Sequence, residues 1–274
     1  MSSATDKDET VALAQMRESF PADTTESYGM PLDDACLLRY VRARNGSVPK
    51  ATAMLTATLD WRREFNIEKM LREEMDLIAK EGSTGKVYMG GFDLKGRPIM
   101  VMRPKNENTC DHDGNIKHLV YQMERARAIL QKQSDGHGKM CLVIDYTGYS
   151  LKNAPPMKTS MATIRILQNH YPETLGVAYF VSPPFIFKGF YKVVYPFIDA
   201  VTRQKFVFIP GKAHSPAAQE ILVKNFSLEE LEEPLGGTYK TEFDVSVYLA
   251  APMDQDFRAA LVASSRAADN GGTL

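Results

Sequence analysis

The sequence predicts an α/β fold behind a helical region, and three observations carry that prediction. Apolar residues recur at helical spacing over about residues 33–80. Beyond residue 114, helix-length and strand-length segments alternate three times. The short runs at 140–145 (MCLVID), 177–181 (VAYFV) and 205–209 (KFVFI) are rich in β-branched and aromatic residues. Helix and strand in alternation imply right-handed crossovers and a largely parallel sheet. At 274 residues, one or two domains with a large core are expected.

Residues 1–25 are polar, with a short helix expected over 9–20. Asp33 or Asp34 is placed to cap a helix that carries Leu37, Leu38 and Val41. A second helix over 48–65 bears the only tryptophan, Trp61. Residues 87–92, the DLKG string and 97–102 read as a β-hairpin, with Gly96 supplying the turn. Helices are then expected at about 114–134, 156–170 and 184–198, each followed by one of the three strands. Short helices at 216–223 and 228–231 and a Gly236–Gly237 turn follow, and the chain after Asp256 reads as a frayed polar tail.

A net charge of −1 gives no global field to draw nucleic acid or acidic membranes, so any anion binding must be local. Cys36, Cys110 and Cys141 are widely spaced and odd in number, which fits a reducing compartment. The first residues lack the basic and apolar blocks of a signal peptide, Ser2 stands where myristoylation requires glycine, and GGTL is no prenylation box. A cytoplasmic protein that touches membranes peripherally is the expectation.

The common catalytic signatures are missing. There is no GxSxG elbow, no GxGxxG or GxxxxGK[ST] phosphate cradle and no HExxH. TCDHDG at 109–114 resembles a calcium loop only faintly, because Thr109 and Val120 stand where carboxylates are required. Asp145, at the end of a strand, reads as a capping residue rather than a ligand group.

Two segments point to a ligand. Residues 183–200, PPFIFKGFYKVVYPFIDA, are apolar nearly all round except for Lys188 and Lys192, four residues apart on one stripe. The run is too short to span a bilayer, and Pro183, Pro184 and Pro196 bound it. Either it is a buried crossover helix or it is a lid over an apolar cavity that grazes a membrane. In RYVRAR, a helical wheel places Arg39 and Arg42 on the polar side and Arg44 in the middle of the apolar face. Arg44 could snorkel from the last turn, sit as a favourable cation at the helix C-terminus, or aim its planar fork inward at a phosphate.

With RYVRAR (39–44), FDLKGRP (92–98), NHYPE (169–173), the apolar segment, PFIDAVTRQK (196–205) and LGGTY (235–239), the chain resembles the CRAL-TRIO lipid-binding family. The likeness runs over about residues 32–249 and is strongest to the branch of yeast-type phosphatidylinositol/phosphatidylcholine transfer proteins. It implies an N-terminal helical bundle packed on an α/β domain whose mostly parallel sheet floors an apolar pocket. The corresponding division is a polar arm (1–30), a helical domain (31–82), a lipid-binding domain (83–250) and a tail (251–274). Residues 183–200 correspond to a mobile gate, with Phe185, Phe187, Lys188, Phe190, Tyr191, Lys192 and Val194 as its membrane contacts.

The resemblance also implies a phosphoinositide headgroup site. Arg44 and Lys205 would neutralise the phosphodiester, Thr202 would donate a hydrogen bond, and Glu173 would orient Lys205 or accept from an inositol hydroxyl. Thr174 stands where the phosphatidylinositol binders carry arginine. Met140 and Leu142 replace a serine and a threonine of the choline-lipid site, so a sterol, squalene-like or prenyl guest suits that wall better than phosphatidylcholine. The implied activity is exchange of phosphatidylinositol for a second hydrophobic lipid between membranes. No bond chemistry, catalytic residue, metal or cofactor beyond the bound lipid is expected, nor any nucleic acid, and the protein is expected to be monomeric. A lipid sensor presenting its ligand to a kinase or trafficking partner, a carrier of an apolar ligand and, more remotely, an α/β hydrolase stay open.

Overall fold

A computed structural model describes residues 4–24, 27–133, 138–185 and 187–271. Ser2 and the last three residues of GGTL lie outside them. The chain divides into two units, one comprising the residues up to Met75 together with Arg165–Thr174, the other Asp76–Ile164 together with the residues from Leu175 on.

The first unit is helical. Helix α1 spans Ala4–Ser19, starting five residues before the expected position. Ala12, Met16 and Phe20, four apart, form its buried stripe. Helix α2 (Asp34–Ala43) starts where Asp33 accepts a 2.7 Å hydrogen bond from the Cys36 amide. It stops because Asn45 (φ 51°) and Gly46 (φ 81°) take the left-handed conformation, and the Gly46 amide turns back to the Val41 carbonyl at 2.9 Å. Helix α3 (Val48–Phe65) carries Pro49 in its first turn, where no amide hydrogen is needed. Leu37, Val41, Ala51 and Leu55 close a core with Met16 and Tyr40. Arg17 braces it, donating to the Leu32 carbonyl at 2.7 Å and to Asp34. Helix α4 (Ile67–Glu73) completes the run.

The second unit is built on a five-stranded sheet ordered β1-β2-β3-β4-β5. After helix α5 (Met75–Gly82) come β1 (Val87–Phe92) and β2 (Pro98–Met102), the antiparallel hairpin read from the sequence. Its turn is made by Gly96 at φ 73° and by Asp93, whose Oδ1 accepts from the amides of Lys95 and Arg97, both at 2.9 Å. The remaining pairings, β2–β3, β3–β4 and β4–β5, are parallel. Crossovers supply α6 (His112–Lys132), α7 (Met157–His170), α8 (Phe187–Val194) and α9 (Ala200–Gln204) between β2, β3 (Met140–Asp145), β4 (Leu175–Val181) and β5 (Phe206–Ile209).

Three expectations are corrected, the first being the short helix at 228–231, where the chain forms turns. The helix expected over 184–198 is shortened to α8 and a 3-10 turn at Tyr195–Phe197, because Pro196 cannot continue the α8 hydrogen-bond ladder, and α9 starts afresh at Ala200. The region after Asp256 is helix α12 (Phe257–Gly271), which follows α10 (Pro216–Leu222) and α11 (Val245–Ala250). Its alanine-rich sequence favours helix, and Phe257 and Ala260 are buried. The Phe257 ring closes an aromatic cluster with Tyr88, Phe243 and Tyr248.

Candidate functional site

Side chains alternate across the strands, so the register assigns each to a face. One face carries Tyr88, Ile99, Val101, Cys141, Val143, Asp145, Tyr179 and Val181. All of these are buried. Tyr88 is held in the aromatic cluster and Tyr179 packs on Phe226. The opposite face carries Met100, Met102, Leu142, Ile144, Ala178, Phe180, Phe206 and Phe208, without one hydrogen-bonding side chain. Here Met102, Leu142, Ile144 and Phe206 are only half-buried, and Phe208 is 43% exposed. The first face is buried except at its β5 edge, where Val207, opposite Tyr179, is half-buried; the other is apolar and more open.

Helix α8 lies on the open face. Phe187 is buried against Phe180 (ring centroids 5.5 Å apart) and Tyr146 (4.8 Å), and Tyr191 stacks beside it at 5.8 Å. Val194 and Ile198 are buried too, so positions 187, 191, 194 and 198 form the inward stripe. Of the expected membrane contacts, Phe187, Tyr191 and Val194 therefore face the protein in this structure, whereas Phe185 (84% exposed) and Lys192 face out. The side chains of Lys188 and Phe190 lie outside the described part. Sequence reasoning missed Val193, Tyr195, Phe197 and Val201, all exposed. The 185–189–193–197 spacing is the signal for the outer stripe, visible once the inner one is known. Arg203 sits over the Tyr195 ring at 4.2 Å, adding a cation to that face.

The expected headgroup residues divide between the units. Arg44 and Glu173 belong to the first, Thr202 and Lys205 to the second. Arg44 is the C-cap of α2 and half-buried, one residue past the helix on which the wheel placed it, with Nη1 donating to the Ala43 carbonyl at 3.0 Å. Its neighbour Arg42 is paired with Glu9 at 2.7 Å. Those hydrogen bonds raise the Arg42 pKa, burial opposes them, and the charges of Glu9 and Glu173 add to the rise. Glu173 is half-buried and left-handed (φ 54°). Next to it Thr174 is buried, its hydroxyl turned to the Pro172 carbonyl at 3.3 Å.

Thr202 and Lys205 are gathered around Asp199, the N-cap of α9. Asp199 accepts from the Thr202 amide at 2.8 Å and from the Thr202 hydroxyl at 2.5 Å. Burial pushes the Asp199 carboxyl up, but these bonds, the Val201 amide and the Lys205 charge bring it below its usual range. The Thr202 proton is thus committed to Asp199, leaving its oxygen to accept. The Lys205 backbone is fixed by its carbonyl, which accepts from the Ala178 amide at 2.9 Å. Met140 is buried, while Leu142 lies half-buried on the open face.

Asp145 is fully buried, and Oδ1 caps the following turn through the Thr147 amide at 2.9 Å. Its Oδ2 lies 3.9 Å from Arg103 Nε, within ion-pair range but beyond a hydrogen bond. Arg103 donates to the Tyr88 hydroxyl at 2.9 Å and to Glu232, and Tyr88 donates to Glu232 at 2.5 Å. Burial, then the Glu232 charge, hold the Tyr88 hydroxyl well above its usual pKa. This network joins residues 129 and 144 positions apart, and no local sequence signal announces it. The 109–114 string is no ligand loop: Thr109 donates to Glu81 at 2.9 Å and Asp111 caps α6.

A helical unit and a largely parallel α/β unit with one apolar sheet face part open define the class as a two-unit α/β protein. The chain belongs to the CRAL/TRIO family: residues 82–237 match the CRAL/TRIO domain and residues 12–57 the CRAL/TRIO N-terminal domain. A CRAL-TRIO domain-containing protein of Schizosaccharomyces pombe is 31% identical over 82% of this chain and 21% of its own length. The phosphatidylinositol transfer protein PDR17 of Saccharomyces cerevisiae is 32% identical over 65% of this chain and 52% of its own. The chain thus spans about half or less of these two relatives. The crystal structure of Sfh5 shares the fold, with a TM-score of 0.61 and 22% identity, over 74% of this chain and 80% of that one. Among the described residues no helix is long and apolar enough to cross a membrane.

Proposed function

We propose that the protein withdraws phosphatidylinositol from one membrane and releases it at another in exchange for a second, more apolar lipid, without bond chemistry. The observation that carries this reading is the contrast between the two sheet faces. A core strand face is normally packed as tightly as the rest of the interior, yet Leu142, Ile144, Phe206 and Phe208 are left part open beneath α8. Acyl chains would cover them, and each buried methylene is worth about 0.8 kcal/mol. The same face offers no hydrogen bond to a polar guest, which favours a sterol, squalene-like or prenyl second ligand. On the α/β unit Lys205 serves the headgroup phosphate, and Thr202, its proton given to Asp199, acts as an acceptor. The name of the PDR17 relative supports the choice of lipid. The protein is taken to act as a cytoplasmic monomer that visits membranes through the α8 region.

The test is transfer of fluorescent phosphatidylinositol between vesicles by the purified chain. The expected result is transfer, with Lys205→Glu lowering it at least roughly tenfold, as loss of a charge-assisted phosphate contact implies, while circular dichroism is unchanged. Equal transfer by wild type and variant discards the headgroup assignment. An absence of any phosphatidylinositol uptake discards the function.

A further inference from the structure

Exposed apolar side chains scattered singly need no explanation. The connection between β3 and α7 departs from that pattern in three ways. Leu151 is 65% exposed and Met157 46% exposed, and each is followed directly by an exposed lysine, Lys152 and Lys158. Residues 146–172 contain no aspartate or glutamate. A third exposed lysine, Lys105, joins the same patch: its carbonyl accepts from Asn153 Nδ2 at 3.0 Å, and a Cβ placed on Gly148 would lie 3.5 Å from its Cδ. Of the carboxylates nearby in sequence, Asp145 is buried, Glu173 is half-buried and Glu107 is bound to Lys86 at 2.6 Å; exposed Asp111 and Asp113 flank His112, whose ring lies 3.0 Å from the Thr159 hydroxyl, and so border the Met157 end of the patch.

We infer that this β3–α7 connection is a second membrane contact, which takes an anionic bilayer surface. Apolar side chains that enter the interface beside cations that meet anionic headgroups are the recognised chemistry of such a contact. Topology places it beside the gate. Strands β3 and β4 are parallel neighbours, so the chain leaves both at the same edge of the sheet, the first into 146–157 and the second into the segment bearing α8. Tyr146, at the root of the connection, packs on Phe187 of α8 with centroids 4.8 Å apart and on Tyr149 at 5.4 Å. A bilayer that holds Leu151 and Met157 thereby acts, through Tyr146, on the residue that seats α8. The inference deepens the exchange function proposed above and rests on it.

The experiment measures sedimentation of the purified full chain with vesicles of phosphatidylcholine, with and without phosphatidylserine. The variants are the pair Leu151→Asp/Met157→Asp and the triple Lys105→Gln/Lys152→Gln/Lys158→Gln. Each should lower binding to the phosphatidylserine vesicles at least roughly tenfold, and the triple should also flatten the salt dependence. Loading of fluorescent phosphatidylinositol from detergent solution, with no membrane present, should match wild type and serves as the check on folding. Wild-type vesicle binding by both variants, or wild-type binding indifferent to phosphatidylserine, overturns the inference. Failure of the wild type to load phosphatidylinositol strikes the proposed function instead.

Discussion

His118 is fully enclosed, and its neighbours fix its protonation. The Met89 amide donates to the Tyr248 hydroxyl at 3.0 Å, Tyr248 donates to Gln122 Oε1 at 2.7 Å, and the Gln122 amide nitrogen, 3.0 Å from His118 Nε2, can only donate to it. Nε2 must therefore be unprotonated. Burial, assisted by the Lys86 charge, pushes the imidazole from 6.5 down to about 3. The folded pKa lies below the unfolded one, so the unfolded chain takes up this proton first as pH falls. The contribution is whole above pH 6.5 and shrinks toward pH 3, by up to about 1.4 kcal/mol per pH unit. Urea unfolding followed across that window should show the loss, and His118→Gln should make its slope shallower. Gly237 imposes a steric demand instead: a Cβ there would lie 1.9 Å from the Leu231 carbonyl oxygen. Gly237→Ala should cost about 3 kcal/mol or more, read as a lowered Tm. An unchanged Tm would contradict this close approach of Gly237 to the Leu231 carbonyl.

Among the elements, legibility followed the reach of the interactions involved. The β1–β2 hairpin was readable because Asp93, Gly96 and Arg97 form their turn within five residues. The start of α2 was readable because Asp33 caps it locally. Its end was not, since the wheel carried the helix one residue too far, onto Arg44, whereas the helix stops at Ala43 ahead of Asn45 and Gly46. Helix α12 escaped because its anchors are Tyr88 and Phe243, far away in sequence. The apolar 183–200 segment was legible as a unit, but its inner and outer stripes were not, because nearly every position is greasy. Packing decides that Phe187, Tyr191, Val194 and Ile198 turn inward. If Phe187 seats α8, Phe187→Ala should free the helix locally rather than unfold the protein. Amides of Phe187–Val194 should then exchange with deuterium roughly tenfold faster or more, while those of β3 and β4 keep their protection.

For the whole molecule, the fold class followed from alternating periodicity, and the candidate site was legible only as a set of residue types. That Thr202 and Lys205 gather around Asp199 could be suspected from their closeness in sequence. That Arg103, Asp145, Tyr88 and Glu232 form one buried network could not. The division into units shows a similar effect. Residues Arg165–Thr174 belong with the N-terminal helices although they follow β3 in the chain. There His170 stacks flat on Trp61, with centroids 4.2 Å apart, and the Thr58 hydroxyl lies 3.2 Å from the Asn169 carbonyl. A chain shortened to begin at Asp76 should thus expose the apolar side chains of this stretch and aggregate, as light scattering would show. The same arrangement sets a schedule on the ribosome. The N-terminal helices emerge early, yet Trp61 meets its stacking partner only after β3 and most of α7 have been translated, so the unit begun first stays incomplete until much of the second has been made.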